Sequence, residues 1–280
     1  MYVTLSGAIA TAVLDPLFIF GLGLGVTGAA IVTMIARIIA VAVGLNGAMR
    51  KFDLVALPSV ETAKVDLKAM MSIAIPAVLT NLATPVASAY TMRVFSGFGE
   101  AVVAAFAIVE RLTPMAFGVL FALSAAVGPI MGQNLGANLI ARVRQVLTDC
   151  LILAATYVVV VSIVLGFAAP FIVKLFGAQG ETARLVVFVC TYGGVLWLFL
   201  GAIFVANAAF NNLGSPLFST VFNWGRATLG TIPFVTLGAA HFGPEGGYVG
   251  LIAGSTLFGA AAVFAAYDVT ARLAKGAKVL

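Results

Sequence analysis

In 280 residues the chain carries 62% hydrophobic and only 9% charged side chains, with a formal net charge of +5. A soluble domain holds about 25% charged residues, and its core could not shield this much apolar surface from water. Composition therefore excludes a water-soluble domain and makes lipid the solvent, where unsatisfied backbone amides restrict the fold to helices or a closed barrel.

Continuous apolar runs of about twenty residues or more decide for helices, since a barrel needs segments of about ten that alternate apolar and polar. In chain order the runs predict membrane helices over 1–22, 26–48, 67–95, 100–132, 143–174, 182–212, 215–239 and 246–271. The fold class is all-α: a polytopic membrane protein with about eight transmembrane helices. Turn chemistry fills the connectors, as in Gly21-Leu22-Gly23-Leu24-Gly25, Ser96-Gly97-Phe98-Gly99, Asn211-Asn212-Leu213-Gly214-Ser215-Pro216 and His241-Phe242-Gly243-Pro244. The longest polar stretch, 49–66, holds Arg50, Lys51, Asp53, Glu61, Lys64 and Asp66 and reads as a linker between helices 1–48 and 67–280.

Basic residues orient the chain. Arg50, Lys51, Lys64 and Lys68, then Arg142 and Arg144, then Arg272, Lys275 and Lys278 fall on one side if the chain crosses eight times. The positive-inside rule makes that side, and the C-terminus, cytoplasmic. Scattered along loop ends, these residues form no basic face for nucleic acid. Cys150 and Cys190 lie within predicted spans, where free Cys acts as a small apolar residue. No metal-ligand spacing, P-loop or Gly-x-Ser-x-Gly elbow occurs, so nothing points to a hydrolase, a cofactor or an ATP-driven pump. His241 reads as a polar loop residue.

Met1 opens directly into an apolar helix without a basic region ahead of it, unlike a signal peptide. Gly25-Val26-Thr27-Gly28-Ala29-Ala30-Ile31-Val32-Thr33 parallels Gly247-Tyr248-Val249-Gly250-Leu251-Ile252-Ala253-Gly254-Ser255, each a Gly-rich turn leading into a small-residue helix. On this repeat the last six helices form one unit and the first two end a preceding one. The chain then begins mid-protein, with roughly four helices missing by the length of one such repeat.

Particular stretches carry a family resemblance. Leu14-Asp15-Pro16-Leu17-Phe18-Ile19-Phe20-Gly21 with Gly25-Val26-Thr27-Gly28 resembles the fifth and sixth helices of the multidrug and toxic compound extrusion (MATE) transporters. Gly132-Gln133-Asn134-Leu135-Gly136-Ala137 resembles that family's Gly-Gln-Asn-x-Gly-Ala signature, and Phe98-Gly99-Glu100-Ala101-Val102-Val103 through Glu110-Arg111-Leu112 fits the helix before it. The resemblance implies a MATE-like fold of two six-helix lobes, of which 1–48 supplies the last two helices of the N-terminal lobe and 67–280 the complete C-terminal lobe. It further implies an inner-membrane antiporter that exports amphipathic organic cations in exchange for Na⁺ or H⁺, with the missing N-terminal helices as partners. A lipid-linked oligosaccharide flippase of the same superfamily and a non-transporting truncated product are the alternatives.

Asp15 lies within the first span, where an ionisable group costs about 2.5–3.5 kcal/mol and marks function by default. Pro16 removes a backbone hydrogen bond beside it, Thr11 lies one turn earlier on the same face, and Thr33 comes from the second helix. Carboxylate, hydroxyl and loosened backbone are hard oxygens suited to Na⁺ or a proton. In the DNA-damage-inducible F-like branch, a cation-coupling Asp and Thr match Asp15 and Thr33. That branch has Asn where this chain has Thr11, and another Asp on a helix absent here. A second branch's coupling carboxylates fall at Thr84 and Leu200, which places coupling in the first lobe.

Asn81, Thr84, Tyr90 and Asn207 are candidates to face a substrate cavity, and Thr80 and Ser88 are expected to bond back to their own helix. Glu110 and Arg111, about 100° apart, are expected in structural roles, one of them paired with a residue such as Arg226. Arg37 and Arg93 snorkel from span ends. Pro76, Pro85, Pro114, Pro129 and Pro233 mark expected bends.

Overall fold

Helix accounts for nearly all of residues 2–51 and 60–274, which are the residues described by this computed structural model, and no strand occurs among them. Helix α1 (Tyr2–Pro16) widens at once into a π-helical turn, Leu17–Gly21. α2 (Gly25–Asn46) likewise ends in a π turn, Gly47–Lys51. There follow α3 (Val60–Ser96), α4 (Glu100–Gly136), α5 (Ile140–Leu175), α6 (Gly180–Tyr192), α7 (Gly194–Asn212), α8 (Pro216–Gly225), a third π turn at Arg226–Gly230, and α9 (Ile232–Ala274).

Among the described residues, six stretches are long and apolar enough to cross a membrane, the last being Pro216–Ala274. Its 59 residues would extend about 88 Å, against a hydrocarbon core of about 30 Å. Gly243, at φ 66° and ψ −157°, parts it into two crossings. With α3, 37 residues long but charged at its start, the expected eight crossings are reached.

The boundaries differ in three places. The stretch 49–66 is helical at both ends, since the π turn runs to Lys51 and α3 starts at Val60, while 52–59 lie outside the described residues. The sixth run is two helices, because the chain breaks at Gly193 between α6 and α7. Of the expected bends, α4 kinks at Phe117 (φ −113°, ψ 16°), three residues after Pro114, whereas Pro129 lies inside α4 without a break. Proline removes one hydrogen bond, but neighbouring packing decides whether the axis turns.

Two compact units divide the chain, Met1–Ala69 and Met70–Leu280. In the first, α1 and α2 form an antiparallel hairpin. A Cβ on Gly7 would stand 3.6 Å from the Ala40 Cβ, one on Gly44 would stand 3.6 Å from Val3, and Gly28 abuts the Phe18 carbonyl.

In the second unit α7 packs against α4, α5 and α9. Lipid is as apolar as leucine, so close fit rather than escape from water holds these helices together. Aromatic contacts supply part of the fit: Phe95 meets Phe106 edge-on at 5.5 Å and Tyr248 at 4.9 Å, and Phe117 lies 4.7 Å from Trp197. Glycine supplies the rest. Gly246 meets the Gly238 carbonyl and Gly250 the Phe234 carbonyl, which brings the two halves of α9 into backbone contact.

Candidate functional site

In the α1–α2 hairpin, Val3 lies against Gly44, Gly7 against Ala40 and Phe18 against Gly28. Asp15 stands between the last two levels, close to that of Thr33. At about 100° per residue each is turned off the line of contact, and the antiparallel run puts both offsets on the same side of the hairpin. Asp15 is half-buried and has no hydrogen bond or ion pair among the described residues. The Thr11 hydroxyl donates to the Gly7 carbonyl at 3.0 Å and the Thr33 hydroxyl to the Ala29 carbonyl at 2.9 Å. Neither is bonded to Asp15. Donation to the helix leaves the oxygen lone pairs of both threonines available to a cation.

The second unit encloses a cavity of about 370 Å³ between α3, α4, α7 and α9. Phe106, Phe121, Trp197 and Phe204 give it aromatic walls, and Asn81, Thr84, Ser88, Glu110, Arg226 and Tyr248 bring polar groups to it. Tyr90 and Asn207 do not line it. The Tyr90 hydroxyl is bonded to Thr236 Oγ1 at 2.7 Å, and Asn207 Oδ1 accepts from Asn223 Nδ2 at 3.1 Å. Thr80 and Ser88 reach other helices: Thr80 Oγ1 meets Thr220 Oγ1 at 2.8 Å, and Ser88 Oγ donates to Glu110 Oε2 at 3.0 Å.

Glu110 and Arg226 face one cavity without forming the expected ion pair; the ion pairs among the described residues are Arg184–Glu245 and Arg272–Asp268. Arg226 opens the third π turn, only 7% exposed. Its Nη2 donates to Thr84 Oγ1 at 3.2 Å, while its Nε–H finds no acceptor.

The MatE family profile matches residues 76–237, which spans α3 to the first half of α9. The chain belongs to the MATE family. Among relatives, an uncharacterized 21 kDa protein of Pseudomonas savastanoi is 32% identical over 80% of this chain and 74% of its own length. The FAD transporter of Shewanella oneidensis is 31% identical over 95% of this chain and 60% of its own length. In fold the chain matches the Vibrio cholerae MATE transporter VcmN in its bent form, with a TM-score of 0.80 at 24% identity over 97% of this chain and 63% of that one. An outward-facing multidrug resistance MATE transporter gives 0.85 at 19% identity over 98% and 62%. The chain thus spans about three fifths of the length of these transporters.

Sequence reasoning missed Tyr248 as a wall of this MATE-type cavity and passed over Arg226 as a structural partner. An Arg after a Gly within an apolar run, at Gly225-Arg226, was the available signal. Tyr248 had none, since one tyrosine in a Gly-rich helix looks like any other.

Proposed function

We propose that the chain is part of a cation-coupled antiporter that exports organic compounds by alternating access, with Asp15 as the coupling group and Thr33 and Thr11 as its oxygen neighbours. The observation that carries this reading is the half-buried Asp15 carboxylate inside a membrane span, unpartnered among the described residues and set directly before Pro16 and a π turn. An ionisable group placed there is retained for an ion or proton pathway, and π turns recur at functional sites. Na⁺ or H⁺ is the coupling ion, and the hard oxygens of the two threonines suit the former.

Family membership and relatives described as an FAD transporter and a multidrug export protein support export. The charge balance of Glu110 and Arg226 favours drug-like or metabolite cargo over the strongly anionic head of a lipid-linked oligosaccharide. The positive loops favour an inner-membrane protein with its C-terminus in the cytoplasm.

Efflux of a fluorescent cation is the test, in cells expressing the chain alone and joined to the N-terminal helices of a longer relative. Gradient-driven efflux should vanish in Asp15→Asn at unchanged membrane level. Efflux that survives this substitution overturns the assignment of Asp15.

A further inference from the structure

Between the end of α4 and the first turns of α5 lies a hollow of about 320 Å³, lined by Asn134, Arg142, Gln145, Val146 and Asp149. At about 100° per residue the four α5 members share one face of the helix, which presents a cation, an amide and an anion over two turns. Arg142 and Asp149 have no hydrogen bond or ion pair among the described residues. Arg144, on the opposite face, is engaged: its guanidinium lies 5.9 Å from the Tyr267 ring of α9, whose hydroxyl meets Thr148 Oγ1 at 2.9 Å. Asn134 Nδ2 donates to the Ile130 carbonyl at 2.8 Å, which leaves Oδ1 to accept from a ligand.

Depth identifies what reaches this hollow. Asp149 is the last charge on α5 before Lys174, and the run 150–173 between them extends about 36 Å, against a hydrocarbon core of about 30 Å. Arg142 to Asp149 therefore stand at the level of the lipid headgroups. Below them the same face continues as Ile152, Leu153, Val160, Ile163 and Phe167, all exposed and at the level of the acyl chains.

We infer that the hollow is a binding site for phosphatidylethanolamine, with Arg142 on the phosphate, Asp149 and Asn134 Oδ1 on the ammonium, and the acyl chains along the exposed face of α5. A guanidinium pairs with phosphate through two parallel hydrogen bonds. The two poles of this headgroup lie nearly level in the membrane, so the long Arg142 stem and the short Asp149 side chain can meet them together. Phosphatidylglycerol answers Arg142 but sets an uncompensated negative charge beside Asp149. Phosphatidylcholine carries a cation without an N–H to donate. A soluble phosphate compound would leave the apolar face unused.

Native mass spectrometry of the purified full chain tests this, in micelles holding equal amounts of dioleoyl phosphatidylethanolamine, phosphatidylcholine and phosphatidylglycerol. Phosphatidylethanolamine should load about two- to fivefold more than either competitor, the scale of one exposed charge pair. Asp149→Asn should erase the preference over phosphatidylglycerol. Arg142→Gln should lower the loading of all three lipids by a similar factor, and Arg144→Gln should leave the pattern as it was. Excess phosphoethanolamine, which has the headgroup and no acyl chains, should displace none of the bound lipid. Equal loading of the three lipids on the parent chain overturns the inference without any variant. So does a pattern unchanged in both Asp149→Asn and Arg142→Gln, a preference lost equally in Arg144→Gln, or displacement by phosphoethanolamine. No cargo and no ion gradient enter this measurement, so the export reading stands or falls separately.

Discussion

A Cβ placed on Gly254 would overlap the carbonyl oxygen of Gly230. The π turn that carries Arg226 therefore lies backbone to backbone against the second half of α9. Gly250 against Phe234 and Gly246 against Gly238 continue the same seam towards the break at Gly243. This contact sets the height at which the Arg226 guanidinium enters the cavity.

Gly254→Val should consequently destabilise the second unit by about 3 kcal/mol or more, because the obstacle is backbone and cannot swing aside as a side chain would. Gly118→Ala in α4 is the matched control, since nothing lies within 4 Å of its added Cβ. It should leave stability unchanged or raise it by up to about 1 kcal/mol. Unfolding in mixed micelles reads both, and a Gly254→Val midpoint equal to the parent's would contradict the seam.

Asn207 on α7 and Asn223 on α8 hydrogen-bond at 3.1 Å, with Ser219 Oγ donating to Asn211 Oδ1 at 3.0 Å one turn away. Both asparagines sit off the cavity wall. A double-mutant cycle of Asn207→Ala and Asn223→Ala should give a coupling of about 0.6 kcal/mol and at most about 1.7 kcal/mol, the scale of interhelical hydrogen bonds in membranes. Efflux of a fluorescent cation should be unaffected at equal membrane level. An efflux loss at unchanged stability would return Asn207 to the cargo path.

Cys190 on α6 is 1% exposed, and Cys150 on α5 is only half-buried. Maleimide applied to the folded chain in detergent should label Cys150 first and spare Cys190 until denaturant is added, because modification needs an accessible thiolate. Mass spectrometry of the two peptides gives the order, and early labelling of Cys190 would mean that α6 does not pack as described.

Particular residues show how far one dimension reaches. Asp15 stands out in the sequence as a candidate because a carboxylate inside an apolar run is conspicuous wherever the chain later goes. Asn81 and Thr84 were placed on the cavity side by their position on α3, but Tyr90 and Asn207, equally polar and equally central, turned out to be tied to Thr236 and Asn223. Which hydroxyl or amide meets a partner depends on helix rotation and on the neighbour's register, neither of which hydropathy encodes. The kink at Phe117 follows the same logic, since Pro114 bends α4 where Pro129 does not.

By itself the sequence determined the solvent, the helical class, the number of crossings and the family. Each of these follows from the sum of apolar residues over lengths of about twenty, or from contiguous motifs such as Gly132-Gln133-Asn134-Leu135-Gly136-Ala137. Only the tertiary structure decided that Glu110, Arg226 and Tyr248 share one cavity and that Arg226 retains an unmet donor. Those three residues lie on different helical segments, up to 138 positions apart in the chain. Their meeting depends on glycine-level backbone contact between helices, a matter of shape complementarity in three dimensions that no local pattern records.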